Sequence, residues 1–230
     1  MYFEHSAAIW RDFPDLVPVA LTVDGITADA DVTAQVTDLS TRAKERLAAA
    51  PESELPEIQA WRRTFATLGL KPTQYRCAAE SLLRRFRKEG SLPRLHPLVD
   101  LCNATSMAYA VPIAVLDTAA VTDHLEVRYA TGDETYLTFG GDVEHPHPGE
   151  VIFADADRRA HARRWTNRQS GQSAVRPGTE SVLVVAEALH ATAATDMPRL
   201  LDTLATAITQ TWGGPPRAVV LDPATPRLDF

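Results

Sequence analysis

The sequence of 230 residues contains few cysteines and no long apolar run, and each absence excludes a class of protein. Its only cysteines, Cys77 and Cys102, lie far apart and form no C-x-x-C motif, so we expect neither a disulfide framework nor a cysteine zinc site. No stretch approaches the roughly 18 to 20 apolar residues that span a bilayer, and the N-terminus lacks a signal-peptide pattern. We therefore expect a cytoplasmic protein that does not bind membranes.

Motifs that identify several common enzyme classes are also absent. The sequence has no glycine-rich dinucleotide fingerprint, P-loop, H-E-x-x-H helix or G-x-S-x-G turn, and it predicts no cofactor. Its formal net charge is −7, from 30 acidic and 23 basic residues. Indiscriminate binding to DNA or RNA is not expected, because non-specific affinity comes from neutralising phosphates. A local basic face on an acidic body is compatible with this charge.

One short segment departs from the acidic average. Between residues 158 and 168, five arginines surround Trp165, and amide and hydroxyl side chains follow. An arginine guanidinium can donate two hydrogen bonds to one phosphate, and the indole ring of a tryptophan can stack on a base. The segment could therefore bind the anionic end of an RNA. The alternative is that the arginines cover a helix surface and pair with Asp155 and Asp157. The five are Arg158, Arg159, Arg163, Arg164 and Arg168.

The order of the predicted elements indicates an α+β fold. Most helices come first and mixed strands follow, which favours a single domain over residues 1–230, with a mixed sheet and N-terminal helices packed around it. Residues 1–60 contribute a strand and a helix to this domain. The predicted helices are 31–49, 54–70, 74–90, 97–110 and 196–211, and the predicted strands are 16–26, 112–117, 124–130, 134–139, 150–155, 181–189 and 217–222.

An ordered series of short features runs through residues 61–190. It consists of Leu98-Val99-Asp100, Asn103, Pro112, Asp117, Arg128, Gly132 with Glu134, Pro148-Gly149-Glu150, Thr179 and Glu187. In this order the sequence resembles the editing (B3/B4) domain of the phenylalanyl-tRNA synthetase β subunit, in the form of proteins that consist of this domain alone. The resemblance implies a B3/B4-like fold and hydrolysis of the ester that joins a wrong amino acid to tRNA.

The resemblance also implies a pocket between the Asn103–Asp117 segment and the loop at residues 165–180. Two residues depart from the family pattern: Cys102 stands where the family has threonine, and Ala114 stands where it has histidine. The polar stretch at residues 166–173 replaces a glycine-rich loop. The tyrosine edited by the synthetase is therefore not expected here, and we expect a polar or non-protein amino acid, for example an arginine analogue.

The predicted site residues follow from this placement. A water held by backbone groups, assisted by the tRNA ribose hydroxyl, needs no side-chain nucleophile. Cys102 could act as one, but a free cysteine on an apolar helix is usually a small buried hydrophobe. Two histidines, His145 and His147, are too few for a metal site. The predicted catalytic residues are Asn103, Asn167 and Arg168; the predicted substrate-binding residues are Asp100, Cys102, Ala114, Asp117, Glu134, Trp165, Gln169, Ser170 and Thr179; and the predicted tRNA contacts are Arg62, Arg63, Arg84, Arg85, Arg163 and Arg164.

The sequence thus predicts a deacylase that acts in trans on mischarged tRNA. Two alternatives stay open at this stage. A noncatalytic RNA-binding module would keep the arginines and Trp165 without releasing an amino acid. A small-molecule or amino-acid-binding protein that reuses the pocket would bind free ligand and be insensitive to ionic strength.

Overall fold

The computed structural model describes all 230 residues, and its helices lie close to the bounds predicted from the sequence. All five predicted helices are confirmed, and one short helix near the N-terminus was not predicted. Gly90 ends the third of the predicted helices in a left-handed conformation, as its position indicates. The helices are α1 (Ala7–Asp12), α2 (Thr33–Ala49), α3 (Pro56–Thr67), α4 (Ala78–Glu89), α5 (Pro97–Tyr109) and α6 (Ala193–Trp212).

Twelve strands accompany the helices, and the seven predicted strands are among them. The predicted strand at 134–139 shortens to two residues. The strands are β1 (Tyr2–His5), β2 (Val17–Asp24), β3 (Ile113–Asp117), β4 (His124–Tyr129), β5 (Tyr136–Leu137), β6 (Val143–Glu144), β7 (Val151–Asp155), β8 (Ala160–Arg163), β9 (Arg168–Gln169), β10 (Ser181–Ala188), β11 (Arg217–Val220) and β12 (Arg227–Asp229).

The strands form two large sheets and one hairpin. The six-stranded sheet has the order β12-β1-β4-β7-β8-β9 and is mixed, because β1 and β4 run parallel while its other pairs are antiparallel. The four-stranded sheet has the order β11-β2-β10-β3 and is antiparallel throughout. β5 and β6 pair with each other. The α+β class with a mixed sheet is confirmed.

The centre of the four-stranded sheet is buried on both faces. Every residue of β10 from Val182 to Ala188 is buried, which explains why this strand reads as a continuous apolar run instead of an alternating one. Burying each valine or leucine contributes about 1.5–3 kcal/mol. α5 is buried along most of its length and contributes Leu98, Leu101 and Ala104 to the same core. No helix combines the length and apolar character needed to cross a bilayer.

The loop between β4 and β5 makes a tight turn that depends on a glycine. Gly132 has a φ of 101°, and a Cβ added there would lie 2.7 Å from the Cγ atom of Pro148. Gly132→Ala should therefore lower the free energy of unfolding by roughly 2–4 kcal/mol, from backbone strain and the steric contact together. Urea denaturation measures this loss.

Gly25 supplies the matched control. Its φ is 74°, but nothing lies within 4 Å of an added Cβ. Gly25→Ala should cost only the backbone strain, about 1–2 kcal/mol. Equal losses in the two variants would contradict a tight contact between Gly132 and Pro148.

Candidate functional site

A narrow cavity lies between the start of β3 and the segment that joins β8 to β9. It encloses about 60 Å³ and has a buried floor and a partly buried rim of apolar and polar residues. These are the two chain segments between which the family resemblance implies a pocket. The buried part is formed by Pro112, Phe153, Ala162, Trp165, Val185 and Glu187, and the rim by Ala78, Ile113, Ala114, Thr166, Asn167, Arg168 and Gln169.

The rim is placed by an unusual backbone turn. Arg164 and Trp165 both have left-handed conformations, with φ values of 47° and 56°. Non-glycine residues rarely adopt this conformation, and such strain persists only where surrounding contacts enforce it. Here the Trp165 amide donates to the Val151 carbonyl at 2.7 Å, and the Thr166 carbonyl accepts from the Ala78 amide at 2.8 Å. The turn therefore fixes the rim against β7 and the start of α4.

A buried carboxylate forms part of the cavity floor. Glu187 on β10 is 2% exposed, and its Oε1 accepts hydrogen bonds from His5 Nε2 at 2.8 Å and from Trp165 Nε1 at 2.9 Å. A carboxylate can only accept, so the proton of this His5 bond is on Nε2. Its other oxygen, Oε2, has no protein donor. Glu187 lines the cavity, so a cationic group that enters it could donate a charge-assisted hydrogen bond to this oxygen.

Contacts with neighbouring strands and with the loop before α4 hold the polar side chains of the rim. Gln169 Nε2 donates to the Val115 carbonyl at 2.7 Å, and Asn167 Nδ2 donates to the Arg76 carbonyl at 2.7 Å. Arg168 pairs with Glu144 at 3.2 Å and lies 5.3 Å from the centre of the Tyr136 ring. The cavity thus brings together five of the predicted site residues, and their function stays a prediction. These are Ala114, Trp165, Asn167, Arg168 and Gln169.

The role of Trp165 in stacking a base was predicted wrongly. Its ring is completely buried, with Phe13 at 4.8 Å and Trp61 at 5.1 Å between ring centres. Its indole N–H donates a hydrogen bond to Glu187 Oε1. The ring therefore has no exposed face for a nucleic-acid base, and it supports the cavity from beneath.

The basic segment does not form an anion site. It lies on β8 and the turns around it, not on a helix, and carboxylates neutralise most of its arginines. Arg159 pairs with Asp155 at 2.6 Å and Asp157 at 3.4 Å, which is the pairing that the alternative interpretation expected. Arg158 pairs with Asp133.

Arg163 is the clearest correction within that segment. It is 3% exposed and is bound by Glu144 and by Glu150, the latter at 2.9 Å, so its predicted contact with tRNA phosphates is wrong. Arg164 is half-buried and stacks over Tyr75 at 4.7 Å, without a carboxylate partner.

Two predicted residues lie at a second cavity. Asp100 and Asn103 line a space of about 260 Å³ between α2, α5 and the α4–α5 connection, which shares no lining residue with the narrow cavity. Burial raises the pKa of the Asp100 carboxyl, and its Oδ1 accepts from the Leu95 amide at 3.0 Å. Asn103 is therefore not assembled with Asn167 and Arg168 into one catalytic group, and this part of the prediction is corrected.

The remaining predicted substrate contacts lie outside both cavities. Cys102 is 1% exposed in the core, and burial raises the pKa of its thiol to about 12, so it is not available as a thiolate. Thr179 donates to Asp117 at 2.7 Å and closes the loop before β10. Ser170 donates to the Leu137 carbonyl at 2.8 Å. These side chains satisfy one another and the backbone, and they line neither cavity.

Glu134, another predicted substrate contact, closes its own loop. It is completely buried and accepts from Arg128 Nη1 at 2.5 Å and from the amides of Thr131 and Gly132. Burial alone would raise the pKa of this carboxyl, but the hydrogen bonds from Arg128 and the two amides outweigh burial and lower the pKa to about 2. Both oxygens of the carboxylate accept hydrogen bonds from Arg128 or from the loop amides, so Glu134 stabilises this loop.

The arginines on the helices that are predicted to contact tRNA differ in exposure and in whether a carboxylate already binds them. Arg62 is paired with the buried Glu80 at 2.6 Å. Arg85 is exposed and pairs with Glu89 at 2.8 Å, and the exposed Arg84 lies 3.8 Å from Glu52. Arg63 is exposed and has no carboxylate partner. Contact of these side chains with tRNA stays a prediction.

Sequence reasoning missed the functional potential of Glu187 and its donors. Glu187 is one of the features that carry the family resemblance, but the predicted site residues include neither it nor His5 and Trp61. An isolated glutamate among seven buried strand residues was the available signal, because such a charge needs partners. No cluster of three or more His, Cys, Asp or Glu side chains has the arrangement of a metal site.

Comparison with models of known protein families agrees with the family resemblance. The family model described as the B3/4 domain matches residues 60–207. Among solved structures, the chain is similar to an N-terminal fragment of the phenylalanyl-tRNA synthetase β subunit from Pyrococcus horikoshii, with a TM-score of 0.48 and 8% identity. This match covers 94% of the chain and 49% of the fragment, so the chain spans about half the length of that relative. No curated protein matches in sequence.

The low pKa of Glu134 predicts a loss of stability in acid. Its folded-state pKa of about 2 lies below the ordinary value of 4.5, so its contribution is present above pH 4.5 and is lost as the pH falls toward 2. Between pH 5 and pH 3, wild type should lose about 2 kcal/mol more unfolding free energy than Glu134→Gln. Urea denaturation at both pH values measures the difference.

Glu180→Gln is the control, because this exposed carboxyl has no side-chain hydrogen bond or ion pair. Its unfolding free energy should follow the wild-type pH dependence. A Glu134→Gln variant that does the same would show that the loop carboxylate does not contribute through its charge.

Proposed function

The chain belongs to the B3/4 domain family, and from this membership we propose that it hydrolyses the ester bond of mischarged aminoacyl-tRNA. The substrate we propose carries a linear, cationic amino acid, such as an arginine analogue. The observation that carries this choice is the half-bonded carboxylate of Glu187 on the cavity floor. Aminoacyl-tRNA is a cytoplasmic substrate, so the proposal places the activity there.

The charge of the floor favours a cation. Phe153, Ala162 and Val185 surround Glu187 with apolar surface, which strengthens the attraction between the carboxylate and an opposite charge. A guanidinium or ammonium group would supply donors to Oε2. A neutral amino-acid side chain would displace water from the Glu187 carboxylate without donating a hydrogen bond to it. Glu187 therefore disfavours binding of most of the amino acids that are correctly attached to tRNA.

The size of the cavity favours a slender side chain. About 60 Å³ is room for about four water molecules, which suits the end of an unbranched chain but not an aromatic ring. Ala114, where the family pattern has histidine, lies on the rim and adds no ring to the site. Both features argue against tyrosine as the amino acid removed.

The ester would lie at the rim when the side chain reaches the floor. A water attacks the ester carbonyl carbon, the bond from that carbon to the ribose oxygen breaks, and the proton goes to the ribose oxygen. Free amino acid and tRNA are the products. No cysteine or histidine lines the cavity, so the proposed reaction relies on backbone groups, the neighbouring ribose hydroxyl and the fixed polar side chains Asn167 and Arg168.

A panel of mischarged tRNAs tests the proposal directly. Purified protein should release cationic amino acids and spare tyrosine, as followed by loss of the charged tRNA. Glu187→Gln should lower kcat/KM for the cationic substrates at least tenfold, about 1.4 kcal/mol, because the amide leaves the cation unneutralised while Oε1 still accepts from His5 and Trp165.

Thermal denaturation of Glu187→Gln separates loss of binding from loss of fold, and the exposed Glu180→Gln is its control. Inactivity of wild type on the whole panel, with tRNA binding retained, would favour a noncatalytic RNA-binding module. Binding of free amino acid that is unaffected by ionic strength and by tRNA would favour a small-molecule binding protein.

The rim gives a separate prediction. Asn167→Ala frees the rim from the Arg76 carbonyl, and Arg168→Ala removes the cation beside the proposed ester. Each should reduce the deacylation rate at least tenfold. Arg158→Ala, an exposed arginine of the same segment that does not line the cavity, should keep the wild-type rate. Full activity in both rim variants, with unchanged circular dichroism, would show that the reaction occurs elsewhere.

A further inference from the structure

The hairpin of β5 and β6 carries the most exposed large apolar side chain of the protein. Phe139 is 73% exposed and Val143 is 62% exposed, whereas nearly all other large apolar side chains are buried or partly buried. An exposed phenylalanine gains little from burial in the isolated chain, but it offers a flat aromatic face to a ligand.

The exposed position of Phe139 is fixed by the backbone around it. The Thr138 amide donates to the Asp142 carbonyl at 2.8 Å, and the Gly141 amide donates to the Thr138 carbonyl at 3.1 Å. The base of the hairpin is held by the Gly171 amide, which donates to the Leu137 carbonyl at 2.9 Å. The phenyl ring thus projects from a hydrogen-bonded turn whose base is tied to the chain after β9.

A groove beside Phe139 adjoins the narrow cavity. It is an open depression in the surface with a volume of about 490 Å³. Tyr136, Thr138, Asp142 and Glu144 line it with hydroxyl and carboxylate groups. Arg168 and Gln169 line both the groove and the narrow cavity, so the two spaces share one rim.

We propose that this groove binds the 3′-terminal adenosine of tRNA and that Phe139 stacks on its base. The inference rests on the proposed function, because an aminoacyl group is joined by a single ester to the terminal ribose. When the side chain lies in the narrow cavity, the ribose must lie at the rim near Arg168 and Gln169. The base, attached to the same ribose, then falls in the adjoining groove.

The chemistry of the groove fits a nucleoside. Every base presents a flat face that stacks on an aromatic ring, and one such contact contributes a 5- to 150-fold gain in affinity. Asp142 and Thr138 can accept hydrogen bonds from ribose hydroxyls or the adenine amino group. Glu144 is neutralised by Arg163 and Arg168, which reduces its repulsion of the nearby phosphates. Phe139 thus provides the exposed aromatic face that the buried Trp165 lacks.

Fluorescence of a labelled RNA tests the stacking. The probe is a tRNA transcript with 2-aminopurine in place of the 3′-terminal adenine, whose emission falls when the base stacks. Wild type should quench it, Phe139→Ala should lose the quenching and bind about tenfold more weakly, and Phe139→Tyr should restore both. Leu95→Ala is the matched control, because Leu95 is 69% exposed and lines neither the cavity nor the groove.

The outcomes distinguish this inference from the proposed function. Quenching that depends on Phe139, with no hydrolysis of any charged tRNA, would support the adenosine groove and refute the deacylase. Deacylation without quenching, or equal quenching by wild type and Phe139→Ala, would refute the groove alone. A change in sedimentation mass with Phe139→Ala, without quenching by wild type, would assign the ring to a protein contact and also refute it.

Discussion

The hydrogen bonds of one buried carboxylate connect the principal parts of this fold. Glu187 belongs to the four-stranded sheet, His5 to the six-stranded sheet, and Trp165 to the turn after β8. Trp61 on α3 adds a hydrogen bond to the Glu187 carbonyl at 3.3 Å. Removing one donor would leave a buried charge less well bonded, which costs more than an ordinary lost hydrogen bond. The hydrogen bonds of this single side chain therefore help to hold the two sheets in position relative to one another.

The same carboxylate links stability to the candidate site. Trp165 donates to Glu187 from the turn in which Arg164 and Trp165 have left-handed conformations, and that turn sets the rim residues beside β3. One oxygen of the carboxylate accepts hydrogen bonds from His5 and Trp165, and the other is available to a ligand. Glu187 lines the narrow cavity, so a ligand there could donate to the oxygen that has no protein donor. This free acceptor at the cavity, and not the incomplete bonding alone, supports the proposed function.

The sequence predicted the elements well, because helical spacing, glycine ends and apolar runs are local signals. It also located the two segments around the narrow cavity through the family resemblance. It failed where distant residues decide the outcome. Nothing near Arg163 in sequence shows that Glu144 will neutralise it, and nothing near Trp165 shows that Phe13 and Trp61 will enclose its ring. Asn103 was separated from the narrow cavity for the same reason, since the orientation of α5 depends on its packing partners.

The pairing of the arginines changes how tRNA recognition must work if the proposed function holds. Affinity for phosphates comes from cations that are free to displace counterions, and most of the basic segment is already bound to carboxylates. Any affinity for the body of the tRNA would then come from cations outside this segment, such as the exposed Arg63. Selectivity for the amino acid would come from the charged end, where Glu187 would meet the side chain and Phe139 the base. Because both groups belong to one covalent ligand, binding of the first raises the effective concentration of the second, and two modest contacts together discriminate better than either alone.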